Sequence, residues 1–176
     1  MSLTPNMHHE ELFFLFEILW QYTLVFVLAA TPWMEILVVI PIGIGIGLDP
    51  FLVAIISFAG NFLPIVLIIW LLNWFKTTNM YAWWQKRKHG KKEKKHAPSR
   101  GQRVFQKYGL PGLAFLGPLL TGIHLAAIIA LSLKATKAQT TVWMAISLFV
   151  WTLFLTIASV YSIDFVTDWF TLQAFL

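Results

Sequence analysis

Cysteine is missing from the chain altogether, which excludes disulfides, thiolate-bound metals and a cysteine nucleophile. Charge is scarce: 12% of the 176 residues are Asp, Glu, Lys or Arg, against about 25% in an ordinary soluble domain. Apolar and aromatic residues make up 58%, and the mean hydropathy is +0.70. A chain of this length keeps too much surface to hide that apolar excess inside a water-soluble core. A soluble globular enzyme is therefore excluded, and a single membrane domain over 1–176 is the expected unit. The charge is unevenly placed: 11 of the 13 Lys and Arg lie between Lys76 and Lys107, beside one acid, Glu93. The polar stretch 1–11 lacks the basic start and cleavage site of a secretory signal, so the first apolar run is expected to stay with the protein.

Three runs have the roughly 20 apolar residues that a spanning helix needs. They are Leu12–Ala30, Phe51–Phe75 and Thr141–Tyr161, the last free of Gly and Pro. Two further stretches are apolar but broken. Pro32–Pro50 carries Pro41, Gly43, Gly45 and Gly47, and Tyr108–Leu133 carries Gly109, Pro111, Gly112, Gly117, Pro118 and Gly122. Proline removes a backbone donor, and glycine costs about 1 kcal/mol in a helix interior. In hydrocarbon, such a backbone survives only where protein or a wet cavity satisfies its freed polar groups. Each stretch reads as a re-entrant helical hairpin; the competing reading is a kinked but complete span.

Charge placement favours the hairpins. Short loops dense in Lys and Arg stay cytoplasmic, which puts 76–107 and the 1–11 tail inside. The chain then crosses outward through 12–31, dips in and back at 32–50, and returns through 51–75. The second hairpin begins at Lys107 and ends at Lys134 on the inner side, and the last helix leaves an outer tail at 162–176. The expected fold is all-α and integral to the membrane. It has three spanning helices plus two re-entrant hairpins, with hairpin–helix repeats at 32–75 and 108–161 in inverted orientation. Pro41, Gly45, Ile46 and Leu48 recur 77 positions later as Pro118, Gly122, Ile123 and Leu125. Discontinuous helices in inverted repeats usually meet near the midplane, where transporters hold substrate.

Several of these segments carry a resemblance: Pro32-Trp33-Met34-Glu35, Ile40-Pro41-Ile42-Gly43-Ile44, Gly47-Leu48, Gly60-Asn61-Phe62-Leu63-Pro64, and Lys107-Tyr108-Gly109-Leu110 with Gly112-Leu113, Pro118 and Gly122. Together they resemble the small multi-drug export protein family and, more distantly, the DedA-type membrane proteins with paired re-entrant hairpins. The resemblance covers residues 30–160 and implies an exporter. The family commonly carries an Arg two residues after the glutamate. This chain has Leu37 there, so such an ion pair is not available to Glu35.

The candidate pathway residues are Glu35, Pro41, Gly45, Asn61, Pro118, Thr121, Gly122 and His124. Glu35 sits in an apolar setting beside a broken helix, where a charge costs roughly 2.5–3.5 kcal/mol on insertion scales. A carboxyl that loads and releases a proton is what a proton-coupled carrier needs; the bland alternative is a glutamate in the outer headgroups beside Trp33. His124 suits a proton relay, or is a packed histidine bonded to a carbonyl freed by Pro118. Asn61 reads as substrate contact or as interhelical glue. Gly43 and Gly47 read as close backbone packing. Glu17 and Gln21 share one helix face, and His8-His9 with Glu10-Glu11 is a weak metal motif at a terminus, so no metal or other cofactor is expected.

Trp83, Trp84, Lys86, Arg87, Lys88, Lys91 and Lys92 suit contact with anionic headgroups. The expected partners are the lipid bilayer and a second copy of the chain, because so short a chain supplies few walls for a pathway. Nothing supplies a nucleic-acid recognition fold, and no Ser/His/Asp set or acid pair suggests an enzyme. The favoured function is a small secondary transporter or exporter of an organic or amphipathic solute, coupled to protons through Glu35, in the cell membrane (bacterial inner membrane). The rivals are a DedA-like lipid flippase or scramblase and a non-transporting membrane-integrity protein.

Overall fold

A computed structural model describes residues 5–32, 34–77 and 98–174. These form helices α1 (Pro5–Ala30), α2 (Ile36–Gly45), α3 (Pro50–Thr77), α4 (Arg100–Leu120), α5 (Ile123–Ser132) and α6 (Lys137–Ala174), with no strand among the described residues. Three segments are long and apolar enough to cross a membrane: Glu10–Ala30, Pro50–Leu72 and Lys137–Ile163. These match the three runs read as spans. Helix already begins at Pro5 and continues to Ala174, because neither flank holds an interior Gly or Pro to stop it.

The chain divides into two compact units, Met1–Asn61 with Thr152–Leu176, and Phe62–Trp151. In the first, α2 has ten residues, about 15 Å of rise against a hydrocarbon core of about 30 Å. It stops at Gly47, whose φ of +90° is open to glycine. The Leu48 N–H reaches back to the Gly43 carbonyl at 3.2 Å, in the manner of a Schellman end. Asp49-Pro50 then starts α3. The Asp49 Oδ1 accepts the Leu52 N–H at 2.8 Å, and Pro50 takes the first helical position, where no N–H is needed.

Glycine contacts fix the packing of this unit. A Cβ added at Gly43 would stand 3.0 Å from a Val53 methyl and 3.7 Å from one of Val25. One at Gly60 would meet the Phe26 carbonyl oxygen at 2.6 Å and the Ala29 Cβ at 3.1 Å. The Asp49 N–H donates to the Tyr22 hydroxyl at 3.2 Å. Where they touch, Asp49 and residues 50–60 of α3 thus run alongside α1 in the same sense, and α2 runs against both. The reversal is supplied by α2, and the returning limb is the start of α3 rather than part of 32–50.

In the second unit, α4 is broken at Gly109, whose φ of 69° and ψ of −162° lie in a region essentially restricted to glycine. Gly112 lies against the Tyr108 Cβ and could not carry one of its own without displacing it. The chain turns again at Gly122 (φ 82°), where the Thr121 and Gly122 amides converge on the Gly117 carbonyl at 3.0 and 2.8 Å. The stretch Tyr108–Leu133 therefore holds two short helical pieces, whereas Pro32–Pro50 holds one. Gly117 and Ala126 touch between α4 and α5. The start of α4 is closed by a capping box: the Ser99 N–H donates to Gln102 Oε1 at 2.8 Å, and the Gln102 N–H to Ser99 Oγ at 3.3 Å.

Candidate functional site

The turn at 46–49 folds α3 back on α2, and the Gly43–Val53 contact sets their register. Moving away from that contact, each step along α2 has its counterpart along α3. By helical rise, Val39 and Ser57 each lie about 6 Å, and Glu35 and Asn61 each about 12 Å, along their own helices from that contact. All six residues on these three rungs are buried. Glu35 is 7% exposed and occupies the cap position of α2, its carbonyl accepting the Val38 and Val39 amides at 2.9 and 3.2 Å. The positive end of the helix dipole favours a carboxylate there.

Asn61 has no exposed surface and lies midway along the apolar segment Pro50–Leu72. Neither Asn61 Oδ1 nor Nδ2 has a hydrogen-bond partner, nor does Ser57 Oγ one turn before it. On the unit's portion of α6, the Thr152 and Thr156 hydroxyls are likewise buried without a partner. Pro41 is half-buried within α2, and Gly45 is exposed at its end with open space about its Cα. Gly43 provides the close packing expected of it, whereas Gly47 serves the turn.

The other predicted residues gather in the second unit. Pro118 is buried near the end of α4, Thr121 and Gly122 make the turn, and His124 is 4% exposed in the first turn of α5. Two residues that sequence reasoning missed hold this turn. Pro118 has no N–H for the Ala114 carbonyl, and Ser147 Oγ donates to that carbonyl at 2.8 Å. One turn along α6, the Trp151 Nε1–H donates to the Phe115 carbonyl at 3.0 Å. This is how a proline-broken helix is satisfied in hydrocarbon. Its only sequence signal is a Ser and a Trp four apart on one face of an apolar helix.

Trp33, Trp83, Trp84, Lys86, Arg87, Lys88, Lys91 and Lys92 lie outside the described residues. Glu17 and Gln21 are exposed on α1. Among the described residues no three of His, Cys, Asp and Glu come together as a metal site.

Spanning-length apolar helices, interrupted by shorter ones with buried polar groups, define a multi-pass membrane protein. Within that class the chain belongs to one family: the model described as "Putative small multi-drug export protein" matches residues 35–154, from the buried glutamate to the last spanning helix. No curated protein and no solved structure matches the chain.

Proposed function

We propose that the protein is a small secondary exporter of an organic or amphipathic solute, coupled to protons through Glu35. The observation that carries this reading is the burial of Glu35 at the amino end of a helix too short to cross the bilayer. A buried carboxyl in so apolar a setting is costly and is retained for use, and discontinuous helices are a recurrent transporter device. The family's name, export, agrees with it.

The shortness of α2, and of the pieces on either side of Gly122, supports re-entrant hairpins in inverted orientation. The Pro41/Pro118 echo adds to that support. The concentration of bases in 76–107 supports a cytoplasmic, headgroup-facing loop. The DedA likeness, and with it a lipid-moving role, rests on the sequence motifs alone.

The test uses proteoliposomes with a lumenal pH dye, an imposed pH gradient and ethidium as an amphipathic probe. Probe flux that follows the gradient in the wild type and is lost in Glu35→Gln is expected. Flux and coupling unchanged in Glu35→Gln would remove the proton role.

A further inference from the structure

The first helical piece of α4 runs from Arg100 to Tyr108 and ends where Gly109 leaves helical geometry. At 3.6 residues per turn, Arg100, Arg103 and Lys107 fall within one arc about 60° wide, and all three are exposed. Gly101 lies on the other side of the helix and is buried. A Cβ added there would stand 2.6 Å from Ile129 Cδ1 and 3.4 Å from Thr121 Cγ2. The piece therefore rests its glycine face on the Gly122 turn and presents its basic face away from it.

The charge on that face is uncompensated, for no Asp or Glu occurs between Glu93 and Asp164. Arg103 Nε donates to the Pro98 carbonyl at 3.1 Å, which steadies the side chain and leaves its paired Nη groups for an outside acceptor. Lys107 Nζ lies 5.1 Å from the centre of the Tyr108 ring, a cation–π distance. That ring is itself exposed, as suits a tyrosine at a membrane–water boundary. Three cations along about 10 Å of helix match an extended anionic surface better than one small ion.

Past Gly109 the chain passes directly into the apolar residues 110–120, which holds the basic face at the bilayer surface. The phosphates always present there belong to lipid. Arginine meets phosphate bidentately, and bases beside a membrane are attracted to an anionic leaflet. The depth agrees. The Thr121–Gly122 turn lies about one helix diameter, 10–12 Å, beneath the basic face, short of the centre of a hydrocarbon core about 30 Å thick.

We propose that Arg100, Arg103 and Lys107 form a docking surface for the phosphate headgroups of anionic lipids, with Arg100–Tyr108 lying along the membrane surface. This rests on the reading of 76–107 as facing the headgroups and assigns that contact to one helix face. It does not depend on export.

The experiment titrates the purified full chain in detergent with short-chain phosphatidylglycerol and, separately, with phosphatidylcholine. The chain has no native cysteine, so an environment-sensitive fluorophore on Gln106→Cys, exposed beside the basic arc, reads binding locally. Saturable binding of phosphatidylglycerol and not of phosphatidylcholine is expected, weakened by added salt. Arg103→Gln should weaken it about fivefold, and the triple change with Arg100→Gln and Lys107→Gln roughly a hundredfold. Arg103→Gln alone decides the matter where the triple variant does not fold. A variant with Lys86, Lys88, Lys91 and Lys92 all changed to Gln should keep the response. Loss of the response in that variant, with retention in the triple one, would leave the loop at the headgroups and overturn this surface. Equal response to both lipids would overturn the surface and the headgroup-facing loop together. Displacement of phosphatidylglycerol by an oligonucleotide of equal charge would give the face to nucleic acid and overturn the proposal.

Discussion

The Ser147 hydroxyl donates to the Ala114 carbonyl at 2.8 Å, the carbonyl that Pro118 leaves without its helical amide. A proline inside an apolar helix and a serine 29 positions later are thus one feature. Ser147→Ala should lower stability in detergent by about 1–3 kcal/mol, the cost of a buried acceptor left unmade. The penalty should shrink when Pro118→Ala restores the amide to the same carbonyl. Thermal unfolding of the four members of this cycle checks it; equal penalties with and without Pro118 would separate the two residues.

The glycines divide by environment. Gly109 holds a backbone conformation essentially closed to other residues, so Gly109→Ala should cost about 1–3 kcal/mol. Gly60→Ala would drive a methyl into the Phe26 carbonyl and should also destabilise. Gly45, in a helical turn with nothing nearby, should tolerate alanine with a gain of about 0.5–1 kcal/mol. Melting temperatures of the three variants should fall in that order of sign; a Gly60→Ala protein as stable as wild type would refute the α1–α3 packing.

Asp49 anchors the re-entry of the chain into α3. Asp49→Ala removes the acceptor for the Leu52 N–H and should cost about 0.5–2 kcal/mol, whereas Asp49→Asn keeps a capping oxygen and should cost little. Denaturation in detergent distinguishes them, and equal losses would show that charge rather than capping matters at this position.

Much of this was readable beforehand because its causes are local. Spans follow from run length, and the breaks follow from Gly and Pro, whose effect is confined to a turn. Asp49-Pro50 marks a helix start in the sequence. That the returning limb continues as α3 was not legible, since a cap says where a helix begins and nothing about its direction. Gly109 stood out as one glycine among several; its backbone reversal depends on Tyr108 lying against Gly112. Ser147 and Trp151 were invisible because their partners are carbonyls, which every residue possesses. Glu35 and Asn61 were each singled out as chemistry in an apolar setting. Their equal distance along each helix from the Gly43–Val53 contact was not legible, since that contact relates two helices and is written in neither.

That register is the claim on which the candidate site depends, and the absence of native cysteine makes it directly measurable. Glu35→Cys combined with Asn61→Cys should be bridged in membranes by a short bifunctional thiol reagent, while Glu35→Cys combined with Val53→Cys, about 12 Å off register, should not. Bridging of the second pair in place of the first would contradict the account.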